Sequence, residues 1–238
     1  MSKNPFQFES DQEKAEYVDA LFANIADRYD RMNRLMSLGR DRFWRRRAVQ
    51  LAGVPPGGRL LDVAIGTGDL TLAVLERNPS AHVVGVDFNL PMMRSGRLKI
   101  LHHRIDWTNG DALRLPYSDD TFDAVISGFL MRNVTDVAAA LAEQRRVVRR
   151  GRRVVCLELT QPQAPLWREL YHFFFNRMMP PVTGFLSKRP SAYHYLPASV
   201  ESFMNVRELK AVMEAIGLRG VGYQTMMMGT VAIHVGVK

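Results

Sequence analysis

A strand that runs into a glycine turn and then a helix constrains this fold more than any other segment. The run Leu60-Leu61-Asp62-Val63-Ala64-Ile65-Gly66-Thr67-Gly68-Asp69 is mostly apolar up to the turn, and a helix is predicted from Leu70. Glycine lets backbone N–H groups approach a ligand without a Cβ between them, and a helix start favours a carboxylate or phosphate. The segment therefore predicts a βα unit with a ligand at its turn.

A second apolar strand, His82 to Asp87, ends in an acid. Asp87 lies about 20 residues after Gly66, the spacing at which a carboxylate binds the ribose hydroxyls of a nucleoside cofactor. We therefore expect the two strands to hold a nucleoside.

Composition narrows the class of protein. The 238 residues are 47% hydrophobic, as expected for one soluble α/β domain, and no run reaches the ~20 apolar residues of a membrane span. Cys156 is the only cysteine, which excludes intrachain disulfides and thiolate metal sites. The polar, acidic start of the chain predicts no secretory leader. We expect a cytoplasmic protein.

The net charge of +8 is concentrated in two arginine clusters. Two interpretations stay open: a solvated protein face, or attraction to an anionic surface such as the inner face of the cell membrane. No aromatic residues interleave the arginines, which disfavours nucleic acid as the partner. The clusters are Arg45-Arg46-Arg47 and Arg145, Arg146, Arg149, Arg150, Arg152 and Arg153.

Apolar runs and helical stripes alternate along the chain, a rhythm that predicts an α/β fold with an open, mostly parallel sheet. The final two runs, linked through Gly229, predict a hairpin and therefore one antiparallel strand. We expect one domain, with an N-terminal helical region at 1–55 and a cap insertion at 160–205. Helices are predicted at 12–29, 40–52, 70–76, 91–98, 137–148 and 206–216, and strands at 60–63, 82–87, 105–109, 122–127, 154–159, 220–226 and 231–237.

The glycine turn itself discriminates between nucleoside cofactors. It lacks the third glycine of a nicotinamide site and the Gly-Lys-Ser/Thr of a P-loop. It is similar instead to the first motif of S-adenosylmethionine (AdoMet) methyltransferases, in which a strand-borne acid precedes Gly-x-Gly; a generic α/β protein with glycine turns is the alternative. Further polar residues follow the later strands, where open sheets bind ligands: Asn109, Gly110, Asp111 and Ser127.

Several motifs make the resemblance more specific. The chain resembles the ubiquinone/menaquinone biosynthesis C-methyltransferase family (UbiE/MenG) from about residue 15 to its end. The resemblance implies a class I AdoMet-dependent methyltransferase with a Rossmann-like, seven-stranded sheet. The motifs are Tyr29-Asp30-Arg31-Met32-Asn33, Ser37-Leu38-Gly39, Phe43-Trp44-Arg45, Asp62-Val63-Ala64, Gly66-Thr67-Gly68-Asp69, Arg132-Asn133-Val134-Thr135-Asp136, Tyr193, Tyr195-Leu196, Ser199 and 229–238.

The resemblance also implies the reaction, which is C-methylation of a polyprenylated quinol by AdoMet. Conversion of demethylmenaquinol to menaquinol is the leading expectation, and methylation of a ubiquinone precursor or another prenylated phenol is the alternative within the family. A nucleic-acid methyltransferase is disfavoured because neither an Asp/Asn-Pro-Pro-Tyr/Phe loop nor a Pro-Cys nucleophile occurs. A non-enzymatic AdoMet sensor and a homodimer are left open.

Roles can be assigned to residues on both sides of the transfer. We expect backbone around Gly66, Thr67 and Gly68 to hold the methionine end of AdoMet, and Asp87 to bind the ribose. Asp69 either caps the helix or contacts the ammonium group. On the acceptor side we expect Arg132, Asn133 and Tyr29 to act, with Tyr193 and His194 lining the cleft.

The segment between the fifth predicted strand and the next helix is rich in aromatic, methionine and proline residues. It is interpreted as a buried cap, or as a lid for the isoprenoid tail that also touches the bilayer. Its apolar stretch runs from 166 to 180. The six scattered histidines predict no metal site.

Overall fold

The computed structural model describes residues 6, 8–101, 103, 105–162 and 191–238, and for 191–194 the backbone alone. Its centre is a seven-stranded sheet in the order β3-β2-β1-β4-β5-β7-β6. β7 is the antiparallel strand, pairing with β5 and β6, as the terminal hairpin predicts. The strands are β1 Arg59–Val63, β2 His82–Asp87, β3 Ile105–Asn109, β4 Phe122–Gly128, β5 Val148–Leu159, β6 Arg219–Met226 and β7 Val231–Val237.

Helices cover both faces of this sheet, because alternate strand residues point to opposite sides. Leu60 packs with Trp44 and Val74 on one face, and Leu61 packs with Leu141 on the other. The described helices are α1 Asp11–Ile25, α2 Tyr29–Met36, α3 Asp41–Ala52, α4 Asp69–Arg77, α5 Leu90–Lys99, α6 Val137–Val147, α7 Ser191–Glu201 and α8 Val206–Ala215.

The strand order reverses direction between β1 and β4, which pair in parallel from Leu60↔Ala124 to Val63↔Ser127. Connections leave these two strands toward opposite sides, so a crevice opens at their carboxyl ends. Open α/β sheets bind ligands in this crevice. The fold therefore places the glycine turn, the end of β2 and the end of β4 around one site.

The N-terminal region differs from the prediction of one helix over 12–29. α1 ends at Ile25, a 3₁₀ turn occupies Ala26–Arg28, and α2 continues the chain from Tyr29. Helical spacing of apolar residues continues across this break, so periodicity does not reveal it. The break redirects the chain, and α2 lies with Asp30 in contact with the glycine turn.

Two other features bear on the predictions. β5 starts at Val148 rather than 154, because its first six residues are mostly arginines and carry no apolar signal. Most of the predicted cap insertion, including the 166–180 stretch, lies outside the described residues, as do the side chains of Tyr193 and His194. Among the described residues, no helix is both long and apolar enough to cross a membrane.

Candidate active site

The glycine turn after β1 requires its glycines. Gly66 and Gly68 adopt φ values of 54° and 78°, in the left-handed region that side chains disfavour. A Cβ on Gly68 would lie 2.4 Å from Ile100 Cδ1, so the Ile100 side chain would also have to shift. Ala64 adopts φ 60° without being glycine, a strained conformation of the kind that concentrates at functional sites.

Asp87 at the end of β2 is directly tied to this turn. Its two carboxylate oxygens accept hydrogen bonds from Gly66 N and Asn89 N, each at 2.8 Å. Burial raises the pKa of Asp87 to about 6, although these amide donors oppose the shift. Two carboxylate oxygens can accept about four hydrogen bonds in all, so the carboxylate keeps capacity to accept a bond from a ribose hydroxyl.

Asp62, in β1, is a second buried carboxylate at the turn, and the predictions gave it no role. Its Oδ2 accepts a hydrogen bond from Thr71 Oγ1 at 2.6 Å. Burial raises the pKa of Asp62 to about 7, and the nearby charge of Asp87 adds to the shift. The Asp-x-x-x-Gly-x-Gly spacing was the available signal for it.

Asp69 begins α4, but its side chain makes no capping hydrogen bond. It pairs instead with Lys99 Nζ at 2.5 Å and with Arg45 Nη2 at 3.5 Å. Burial raises the pKa of Asp69, but the charges of Arg45 and Lys99 outweigh this and hold the pKa below its usual value. Asp69 is therefore a charged residue that joins α3 and α5 at the turn.

The N-terminal helices cover the turn through a polar network. Asp30 accepts a hydrogen bond from Thr67 Oγ1 at 2.5 Å and pairs with Lys99 Nζ at 2.7 Å. Arg45 forms a buried pair with Asp41 at 2.5 Å. These contacts between helix and turn were not predicted, because they depend on tertiary docking of segments far apart in sequence.

A cavity, partly open to solvent, lies in the crevice beneath these helices. Its walls come from the glycine turn, the end of β2, the segment after β4 and helices α1 to α3. The residues that matter for the argument are Tyr29, Arg45, Asp62, Gly66, Thr67, Asp69, Asp87, Phe88, Phe129 and Asn133. Carboxylates and aromatic rings thus line the same cavity, an arrangement that suits a cationic nucleoside beside a planar acceptor.

Arg132 lies behind this cavity in a buried ion pair. Its Nη1 is 2.5 Å from Glu158 Oε1, and the side chains are 5% and 2% exposed. Arg132 Nη1 also donates to the carbonyl of Phe129 at 3.0 Å. Its Nε is buried without a hydrogen-bond partner among the described residues. Arg132 thus places a fixed positive charge next in sequence to Asn133, which lines the cavity.

Asn133 is held by two neighbours. Its Nδ2 donates to the Phe129 carbonyl at 2.9 Å, and its Oδ1 accepts a bond from Tyr195 OH at 3.2 Å. Burial raises the pKa of Tyr29, while the charge of Arg132 and a bond with Asn33 lower it. The structure therefore brings Tyr29, Arg132 and Asn133 together.

The remaining predicted cofactor residues lie at the margin. Asn109 Nδ2 donates to the carbonyls of Asp87 and Phe88 at 3.0 Å, and Gly110 N donates to Asp87 O at 3.1 Å. Exposed Asp111 accepts a bond from Leu113 N at 2.9 Å. The loop after β3 therefore adjoins the Phe88 side of the cavity without lining it.

Ser127 is placed differently from the other predicted cofactor residues. Its side chain is fully buried and pairs with Gln144 of α6 at 3.4 Å, on the opposite face of the sheet from Phe129. The neighbouring Gly128 lines the cavity in its stead. Among the described residues no group of three His, Cys, Asp or Glu side chains could hold a metal ion.

Comparison with known proteins gives one family. The model of the ubiE/COQ5 methyltransferase family matches residues 10–238. A Roseiflexus sp. (strain RS-1) protein named demethylmenaquinone methyltransferase is 46% identical over 225 residues, covering 94% of each chain. A Citrifermentans bemidjiense protein named ubiquinone/menaquinone biosynthesis C-methyltransferase UbiE is 40% identical over 231 residues, covering 95% of this chain and 98% of its own.

Solved structures confirm the fold. A SAM-dependent methyltransferase of Thermotoga maritima superposes with a TM-score of 0.66 at 17% identity, covering 93% of this chain and 99% of its own. At this identity the likeness speaks for architecture alone. The class I methyltransferase fold expected from the sequence is the one observed.

Proposed function

The chain belongs to the ubiE/COQ5 methyltransferase family, and we propose that it methylates a ring carbon of a prenylated quinol, converting demethylmenaquinol to menaquinol. It is an S-adenosylmethionine-dependent C-methyltransferase. The main support for this choice of substrate is the 46% identity, over nearly the whole chain, to a protein named demethylmenaquinone methyltransferase. AdoMet supplies an electrophilic methyl group on a sulfonium.

The described residues fit AdoMet by the chemistry of their donors and acceptors. Asp87 keeps capacity to accept a bond from a ribose hydroxyl, and Phe88 beside it presents an aromatic face for a purine. The backbone of Gly66 to Gly68 and the carboxylate of Asp62 lie where the methionine end would be held. Asp69 is engaged by Lys99 and Arg45, so we propose that it acts on the ammonium group only as part of that network.

The acceptor side must make a ring carbon nucleophilic. Loss of the neighbouring hydroxyl proton to solvent pushes electron density onto that carbon, which would take the methyl group and release S-adenosylhomocysteine. Loss of the proton on the methylated carbon and reprotonation of the oxygen then restore the aromatic quinol. Arginine stays charged and is a poor base. We therefore assign Arg132 the role of a fixed positive charge behind the cavity wall that stabilises the deprotonated quinol oxygen, as it already favours the ionised form of Tyr29, with Asn133 and Tyr29 orienting the ring.

A ubiquinone precursor is the second candidate, because the 40% identical relative is named for both quinones. The same groups would serve it, since benzoquinol and naphthoquinol present the same hydroxyl-flanked carbon. The test is to incubate the protein with methyl-labelled AdoMet and each reduced quinol, and to follow product by mass spectrometry. Label in menaquinol supports the proposal, whereas label only in the benzoquinol product, or in neither, overturns it.

The substrate also implies a location. A polyprenyl tail keeps a quinol in a bilayer, because each buried CH₂ contributes roughly 0.8 kcal/mol. We therefore propose that the protein meets the inner face of the cell membrane transiently while it is otherwise cytoplasmic.

A further inference from the structure

We propose that the turn between α2 and α3, together with the turn between β6 and β7, forms a surface that inserts into an anionic lipid bilayer. This docking surface consists of Leu35, Leu38, Phe43, Met227 and Met228, bordered by arginines. The inference rests on the proposed function for its purpose, because a membrane-borne quinol must reach the cavity. Its physical grounds are independent of the substrate.

The first ground is exposure of large apolar side chains. Leu38 is 81% exposed at the tip of its turn, Phe43 is 58% exposed and Met228 is 59% exposed. Isolated exposed apolar residues are ordinary, but a group of them on neighbouring elements marks an interaction site.

The second ground is that these turns lie at the same edge of the sheet. Arg45 contacts Asp69 at the start of α4, and Arg153 at the far edge donates to Leu51 O at 2.9 Å. α3 therefore runs from the carboxyl edge of the sheet back to the amino edge. Arg47 Nε donates to Gln224 Oε1 at 2.8 Å and holds α3 beside β6.

The direction of α3 and its contact with β6 fix the positions of the apolar side chains. Phe43 lies one helical turn before Arg47, toward the carboxyl edge, and Leu38 precedes α3 at that end. Met227 and Met228 follow Gln224 at the carboxyl end of β6. The docking surface thus borders the edge that carries the cavity.

The third ground is charge. Arg31, Arg40 and Arg42 are exposed and form no ion pair with any carboxylate in the part of the chain that the structure describes. The acids of this stretch, Asp30 and Asp41, are already paired with Lys99 and Arg45. Unneutralised arginines around exposed apolar side chains are complementary to anionic headgroups over acyl chains.

The second arginine cluster does not share these properties. It lies at the amino edge, and Arg146 and Arg149 pair with Asp119 and Asp123 at 2.8 Å. The cluster at 145–153 and the docking surface therefore cannot face one membrane together. The cluster at 145–153 therefore provides a matched control.

Cys156 makes a site-specific test possible, because this only cysteine is 1% exposed and burial raises its pKa far above the usual range. A cysteine introduced at the surface will therefore react selectively with an environment-sensitive fluorophore. We would label the Leu38→Cys variant and, as a control, the Ser118→Cys variant, which is exposed before β4 at the amino edge. Each is mixed with vesicles of phosphatidylcholine with or without phosphatidylglycerol.

In the Leu38→Cys variant, the fluorescence emission of the label should shift to the blue, and quenchers in the acyl chains should reach it. Both changes should occur only when the vesicles contain phosphatidylglycerol. The label at the Ser118→Cys site should not respond. No response in the Leu38→Cys variant, or an equal response at both sites, overturns the proposal.

A second measurement separates insertion from folding and from the reaction. The Leu38→Glu/Phe43→Glu variant should lose at least about tenfold in vesicle partitioning, because two apolar side chains leave the bilayer. Arg150→Glu should change partitioning less than about twofold. On a water-soluble, short-tailed quinol the double variant should turn over like the parent, and on a vesicle-borne quinol it should fail.

The two proposals fail differently in these assays. If the label in the Leu38→Cys variant inserts into vesicles but the protein turns over no quinol, the proposed function is contradicted and the docking surface is not. Normal turnover of vesicle-borne quinol by the double variant, with normal partitioning, would sink the docking surface alone.

Discussion

The carboxylate of Asp30 in α2 accepts a hydrogen bond from the hydroxyl of Thr67, with 2.5 Å between the two oxygens. Asp30 also pairs with Lys99, which in turn pairs with Asp69. The N-terminal helices are thereby attached to the turn that would hold the methyl donor. Donor binding and docking of these helices should therefore depend on one another.

Asp30→Ala should weaken AdoMet binding by about three- to tenfold, because two charge-assisted hydrogen bonds to the turn and α5 are lost. Isothermal calorimetry measures the affinity, and limited proteolysis of 8–40 reports helix docking. Glu76→Ala is the control, since its pair with Arg46 is more than half exposed on both sides. Equal effects of the two substitutions would contradict a specific link.

Asp87→Ala should raise the AdoMet dissociation constant at least about tenfold, because the ribose loses its charged acceptor. It also removes the acceptor of Gly66 N, so the turn itself should loosen. Asp106→Ala, exposed on the adjacent strand, should leave affinity unchanged. An unaltered calorimetric affinity of the Asp87→Ala variant refutes the assignment.

AdoMet binding should also depend on pH through Asp87. With its pKa raised to about 6, the carboxylate is protonated in acid and loses acceptor strength. Affinity should therefore rise with pH through about 6 and then level off. The Asp87→Asn variant should bind weakly with a flatter profile below that pH; an unchanged profile would assign the dependence to another group.

Asp62→Asn should stabilise the ligand-free protein at alkaline pH. Burial raises the pKa of Asp62 in the folded state to about 7, against about 3.9 when unfolded. Its contribution to stability is full below the unfolded pKa and is lost as pH rises through about 7. The variant avoids this loss, so the free energy of unfolding at about pH 8 should increase by at least about 1 kcal/mol.

The gain in stability should shrink as the pH falls toward the unfolded-state pKa of Asp62. The Asp62→Asn variant should also bind AdoMet more weakly than the parent. Thermal melts across pH provide the measurement. A constant difference between variant and parent at every pH would argue that packing, rather than ionisation, is responsible.

The Arg132–Glu158 pair permits a separation of structural and chemical roles. Arg132→Ala leaves Glu158 buried and uncompensated, which should cost about 3–5 kcal/mol of unfolding free energy. The double variant Arg132→Met/Glu158→Gln removes both charges and should recover most of that stability and normal AdoMet binding. Turnover should stay low in both. Recovered turnover in the double variant would make Arg132 purely structural.

The fold could be predicted from the sequence because most strands are marked by buried apolar residues and by the turn residues that bound them. The strands predicted at 82–87, 105–109 and 231–237 match β2, β3 and β7 to the residue, and Gly229 marks the turn that makes β7 antiparallel. The first half of β5 was missed because its arginines lie on exposed backbone, where apolar periodicity has no physical cause.

Site residues could be predicted where their role depends on neighbours in sequence. They were harder to predict where their role depends on contacts between distant segments. Gly66, Gly68 and Asp87 follow from turn geometry and spacing. Asp62 and Arg45 gain their importance from burial beside other charges, and the links from Asp30 to Thr67 and from Arg132 to Glu158 join distant segments. The side chain of Ser127 points toward Gln144 of α6, an orientation that depends on strand alternation, and its role toward the cofactor stays a prediction.

The reversal of strand order between β1 and β4 divides the cavity by chain segment. The residues proposed to bind the donor follow β1 and β2, whereas Phe129 and Asn133 of the cavity wall, with Arg132 behind it, follow β4. Exchange of the stretch after β4 between relatives could thus change which aromatic ring is methylated without changing the residues proposed to bind the donor. Such modularity makes this junction the natural place to recombine relatives when a new acceptor is sought.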